Sequence, residues 1–129
     1  MPDNMKGKLI QNGVHLQDHE YATVKLLLEN GYNVELIPPI QIKGVRTPDL
    51  TVNGVVWEMK APTGAGKHTI KHTLQNATHQ SGNVIIDLRR CGLPEDKAVK
   101  ELEQGFNLSK RFRRMKIILK SCEILDYQK

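Results

Sequence analysis

The stretch Arg46-Thr47-Pro48-Asp49-Leu50-Thr51-Val52-Asn53-Gly54-Val55-Val56-Trp57-Glu58-Met59-Lys60 decides how the chain is read. Two β-rich runs flank Asn53-Gly54. An Asn-Gly pair between such runs signals a two-residue hairpin turn, because both turn positions must accept positive φ. A two-residue turn sets the register. Val52 faces Val55, Thr51 faces Val56, Leu50 faces Trp57 and Asp49 faces Glu58. Side chains alternate across a strand. Leu50, Val52, Val55, Trp57 and Met59 therefore share a core face, and Asp49, Glu58 and Lys60 share the other.

Directly opposed carboxylates stand roughly 5 Å apart at Cβ, where like charges destabilise the pair. A divalent cation removes that conflict. Mg²⁺ keeps several waters and binds through one or two carboxylates plus a phosphate oxygen. A lysine two residues on can hold a metal-bound water or offset charge building on phosphate oxygens. The competing reading is a solvated hairpin whose Glu58 and Lys60 carry no chemistry.

Pro48-Asp49 followed by Glu58-Met59-Lys60 resembles the PD-(D/E)xK signature of the restriction-endonuclease-like nuclease superfamily. A closer resemblance is to the C-terminal nuclease domains of contact-dependent growth inhibition toxins, in a tRNA-cleaving branch. It runs from about Glu20 to Arg89. His19-Glu20, Gly31-Tyr32, Pro48-Asp49-Leu50, Trp57-Glu58-Met59-Lys60, Gln80 and Val84-Ile85-Ile86-Asp87-Leu88-Arg89 carry it, and nothing after about Cys91 does. The resemblance implies an α/β, restriction-endonuclease-like fold: a mixed central sheet flanked by helices. It implies Asp49 and Glu58 as metal ligands, Glu20 reaching the metal through water, and Lys60 positioning or activating the attacking water. The implied metal is Mg²⁺, with Mn²⁺ or Zn²⁺ as substitutes. The implied activity is a metal-dependent endonuclease acting on RNA, tRNA above all, as a toxin domain. A cognate immunity protein is the implied second partner. The expected site of action is the cytoplasm of a target cell, after delivery within a larger secreted protein; otherwise the chain is expected to be cytoplasmic. Metal-activated water does not need a 2′-OH, so a DNA endonuclease of a phage or mobile element stays open. So does a non-catalytic basic nucleic-acid-binding module.

Composition agrees with these classes without choosing among them. The chain has 129 residues, enough for one domain with a real core. Its formal charge of +5 favours polyanionic partners. No apolar run approaches the ~20 residues of a membrane span. No signal-peptide h-region is visible at the N-terminus. Cys91 and Cys122 are too few for a disulfide scaffold, and a free pair is the default.

Along the chain, residues 1–12 read as a tail or linker and residues 13–129 as a single nuclease domain. A helix is expected over 19–30, with Asp18 as N-cap, Gly31 as stop, and Tyr21, Val24, Leu27 and Leu28 as its apolar stripe. Glu20 in its first turn also suits the helix dipole. A strand follows over 32–37 and ends at Pro38-Pro39. Lys43 and Arg46 are either solvated or in contact with a substrate backbone. Ala61-Pro62-Thr63-Gly64-Ala65-Gly66-Lys67 fails the phosphate-loop pattern at Ala61 and His68, so no nucleotide cofactor is expected. Lys67 in that loop can still meet a phosphate. A helix over 68–80 buries Ile70, Leu74 and Ala77. His68 and His72 share its face, and His72 can contact RNA. Gln80 matches a glutamine of the family. Residues 84–88 form a buried strand. At its end Asp87 either supports the site or pairs with an arginine, and Arg89 emerges near a sheet edge. A helix over 94–104 is expected to stop at Gly105, and a short helix over 108–114 to follow. Lys110, Arg111, Arg113, Arg114 and Lys116 surround Phe112, a pattern suited to RNA-backbone contact and stacking. Strands over 117–119 and 123–127 close the chain. The expected substrate contacts are Lys67, His72, Gln80, Arg89, Arg111, Arg113 and Arg114.

Overall fold

The Asn53-Gly54 turn forms as its residue types dictate. Asn53 has φ 49° and Gly54 φ 84°, the two positive values that a hairpin turn of this kind needs. The computed structural model of the chain describes residues 6–129. Its strands form one mixed sheet in the order β1-β2-β3-β4-β5-β6-β7. Three helices accompany it, and the chain divides into two compact units, Met1–Trp57 and Glu58–Lys129.

In the first unit, β1 (Leu9–Ile10) runs parallel to β2 (Val34–Leu36), and β2 is antiparallel to β3 (Leu50–Val52). β3 is antiparallel to the first half of β4 (Val55–Lys60). The register is the expected one: Val52↔Val55, Thr51↔Val56 and Leu50↔Trp57. Asn33 and Asn53 tie the turn to the start of β2. The Asn33 N–H donates to Asn53 Oδ1 and the Asn53 N–H donates to the Asn33 carbonyl, each at 2.8 Å. α1 (Asp18–Glu29) begins one residue earlier than expected, with Gln17 rather than Asp18 at the N-cap. Gly31, at φ 89°, closes it as expected, donating to the Leu28 carbonyl at 3.0 Å. Val24, Leu26, Leu27 and Leu28 are buried, but Tyr21 is 47% exposed and lies off the buried stripe. β1 falls in the stretch read as a tail. Two residues are too few for a periodic signal, and the pairing partner lies far along the chain. Residues 1–5 of that stretch lie outside the described residues.

The second unit starts with Glu58–Lys60 of β4, which pair in parallel with β5 (Asn83–Asp87) after α2 (Thr69–Thr78). α3 (Glu95–Leu108) connects β5 to the parallel strand β6 (Arg114–Ile118), and β7 (Ile124–Gln128) returns antiparallel. The two strand–helix–strand crossovers place residues of α2 and α3 in one core cluster with Val84 and Ile86, which are fully buried, as is Ile85 on the alternate face of β5. Ile70, Leu74, Leu88, Leu102, Phe106, Met115 and Ile117 belong to one core cluster.

Two expectations for this unit fail. α3 does not stop at Gly105 but runs to Leu108. A Cβ at Gly105 would meet Leu74 Cδ1, so this glycine lets α3 pack closely on α2 and does not end the helix. No helix forms over 108–114; the chain turns extended at Ser109 and enters β6 at Arg114. Phe112 is drawn into the core, 2% exposed, with its ring 6.5 Å from that of Phe106. It is not a stacking platform for bases.

Candidate active site

β4 carries Glu58 and Lys60, the acidic and basic residues of the expected motif. Glu58 and Lys60 are two residues apart on one strand, so they share a side. Lys60 Nζ lies 3.2 Å from Glu58 Oε2. The Glu58 side chain is 2% exposed and that of Lys60 27%. Burying a carboxylate is costly without a compensating charge, and Lys60 supplies one. Glu58 is therefore not the solvent-facing charge of an idle hairpin.

In the first unit a cavity of about 180 Å³ lies among the residues before α1, the end of β2 and the approach to β3. Glu20 and Asp49 both line it, with His15 and Thr47 beside them and Ile37 and Pro39 as apolar wall. Backbone pairing fixes the Asp49 position, since its carbonyl accepts the Ile37 N–H at 3.0 Å. Glu20 lies one turn into α1, and its Oε1 accepts the Gln17 backbone N–H at 2.9 Å. It satisfies the helix start and faces the cavity with the same side chain. His15 and Thr47 carried no signal in the sequence. Both sit in loops, His15 between β1 and α1 and Thr47 ahead of β3, and only the folded chain brings their segments to one cavity.

These groups offer carboxylate oxygens, the hard donors that suit Mg²⁺ or Mn²⁺. Among the described residues no group of three or more His, Cys, Asp or Glu side chains is placed to hold a metal ion. Glu20 and Asp49 by themselves would leave most coordination positions of such a cation to water, which Mg²⁺ tolerates.

The expected substrate contacts fall into three groups. Lys67, His72, Arg111 and Arg113 are exposed and accessible to a phosphate backbone. The His72 ring stacks on His68 with centroids 6.0 Å apart. Gln80 and Arg114 are half-buried, and Gln80 Oε1 takes no hydrogen bond among the described residues. Arg89 is turned on Asp87. Its Nε lies 3.0 Å from Asp87 Oδ1 and its Nη2 2.7 Å from Oδ2, a two-point pair. The hydrogen bonds that Arg89 donates to Asp87 raise the Arg89 pKa above its usual value against the opposing effect of burial. Lys116, grouped with the basic run by sequence, is buried and paired with Asp126. A larger cavity of about 430 Å³, lined by Ile70, Leu74 and Phe112 among others, contains none of the acidic motif residues.

Residues 46–124 match the family described as the contact-dependent growth inhibition CdiA C-terminal domain. The chain belongs to that family. The matched span opens just before β3 and passes through α3 and β6, well beyond Arg89. A solved structure, the CdiA-CT/CdiI toxin and immunity complex from Burkholderia pseudomallei, contains a chain of similar fold, with a TM-score of 0.68 and 19% identity. The similarity covers 95% of this chain and 100% of that one. No curated protein matches the chain. Among the described residues of this CdiA C-terminal domain, no helix is long and apolar enough to cross a membrane.

Proposed function

We propose that this CdiA C-terminal domain is a metal-dependent endonuclease of the PD-(D/E)xK type. It hydrolyses phosphodiester bonds in RNA, with tRNA as the substrate class, and acts as a toxin in the cytoplasm of a target cell after delivery within a larger protein. One observation carries the reading: a buried carboxylate, Glu58, held 3.2 Å from a partly exposed Lys60 on the same strand. A buried ion pair is a poor device for stability, because apolar residues of similar size usually do as well or better. Its presence here favours chemistry.

Asp49 and Glu58 would hold Mg²⁺, with Glu20 reaching it through water. When bound, the cation lowers the pKa of a water and polarises the phosphoryl group. Lys60 orients that water and offsets charge on the phosphoryl oxygens. Lys67, His72, Arg111, Arg113 and Arg114 hold the substrate backbone, which positions it without reading sequence. Family membership supports the toxin role, as does the fold shared with a chain whose structure is described as a toxin and immunity complex. A cognate immunity protein follows from the same reading.

Incubating the protein with total RNA and plasmid DNA, in Mg²⁺, Mn²⁺, Zn²⁺ or EDTA, tests this. RNA is cut with divalent metal, EDTA stops it, and Glu58→Gln cuts at least ~10²-fold more slowly. Plasmid cleavage with intact RNA would select a DNA endonuclease. No cleavage under any metal would leave a binding module.

A further inference from the structure

Between β2 and β3 the chain leaves the sheet and exposes three aliphatic side chains: Ile40 at 50%, Ile42 at 63% and Val45 at 44%. Lys43 and Arg46, both exposed, lie among them. The loop is held in shape. Across its base the Ile40 N–H donates to Thr47 Oγ1 at 3.0 Å. At its tip the Val45 N–H donates to the Ile42 carbonyl at 3.1 Å, with Gly44 supplying φ 82°. The two ends of this loop, Ile37 and Pro39 on one side and Thr47 to Asp49 on the other, line the Asp49 cavity.

Three large aliphatic side chains left exposed together in one loop form an apolar patch, the mark of an interaction surface. Base stacking is served above all by aromatic planes, and this loop has none; its one guanidinium, Arg46, stands beside aliphatic side chains. Aliphatic tips with flanking cations complement an apolar recess rimmed by carboxylates, and a chain of charge +5 steers an acidic protein toward it.

We infer that the loop from Ile40 to Thr47 is the docking element for an acidic protein partner, which thereby covers the mouth of the Asp49 cavity. The inference rests on the toxin reading, with the immunity protein as the partner. Bound there, it blocks access to Asp49 and Glu20 without touching either carboxylate.

The probe is the product of the reading frame adjacent to this chain's gene, titrated into the intact domain by calorimetry. Wild type is compared with Ile40→Ser/Ile42→Ser and with Lys43→Glu/Arg46→Glu, each checked for native circular dichroism. Both variants are expected to bind at least about 30-fold more weakly, the loss typical of central interface residues. The serine variant still cuts RNA and is no longer protected. Wild-type affinity in both variants overturns the docking loop and leaves the toxin reading standing. Failure of the wild-type domain to bind the neighbouring product removes the immunity partner, and the inference with it. Loop-dependent binding to tRNA or to phosphatidylglycerol vesicles, with protein binding unchanged, also overturns it by naming another occupant.

Discussion

Asp87 and Arg89 show how one side chain can look like a substrate contact and serve the fold. Asp87 is 3% exposed at the end of β5, and Arg89 covers it with a two-point pair. Breaking a fully buried pair costs roughly 3–5 kcal/mol. Arg89 is 24% exposed, so Arg89→Ala is expected to lose less, about 2 kcal/mol. Urea denaturation measures it, and a variant as stable as wild type would return Arg89 to the substrate surface. Tyr127 gives the corresponding pH test. Burial, then its 2.8 Å hydrogen bond to Glu103, push its pKa to about 12. The unfolded phenol titrates near ~10. The raised folded value makes the stabilisation complete below pH ~10, and it is lost as pH rises toward about 12. Denaturation of wild type and Tyr127→Phe between pH ~8.5 and ~11.5 should show a stability gap that closes as pH rises.

At the scale of elements, α1 and the hairpin each combine a structural and a chemical task. Glu20 satisfies the Gln17 N–H at the start of α1 and lines the cavity with Asp49. Substitution separates the two. Glu20→Ala should lower stability by about 1 kcal/mol through the lost cap. Glu20→Gln keeps an oxygen acceptor and so keeps stability. If it also loses RNA cleavage, the charge of Glu20 serves the metal; if cleavage is unchanged, Glu20 is a cap alone. The hairpin depends on its turn in the same way, since Asn53 and Gly54 at positive φ set the register of every residue from Leu50 to Trp57.

For the whole molecule, charge governs encounter with substrate. A net +5 chain should bind RNA with an affinity that falls steeply with salt. Lys110, Arg111 and Arg113 are the exposed members of the basic run, while Lys116 is spent on Asp126. Each phosphate contact contributes about 0.7–0.9 to the slope of log affinity against log salt. Replacing both arginines with alanine should therefore reduce the slope by about 1.5, measured on the Glu58→Gln protein so that RNA stays intact. An unchanged slope would place the phosphate contacts elsewhere.

The sequence by itself determined the hairpin, its register and the spacing of Glu58 and Lys60. It determined the close of α1 at Gly31 and the buried run of β5. These follow from local rules: turn residues that accept positive φ, and an alternation of two along a strand. Only the tertiary structure decided the rest. It made Glu58 a buried charge, set Glu20 and Asp49 on one cavity with His15 and Thr47, and turned Arg89 onto Asp87. It also carried α3 past Gly105 and took Phe112 into the core. Burial and ion pairing depend on which distant segments arrive beside a residue. No periodicity within a segment contains that information, so glycine read as a stop could serve packing, and an aromatic among arginines could belong to the interior.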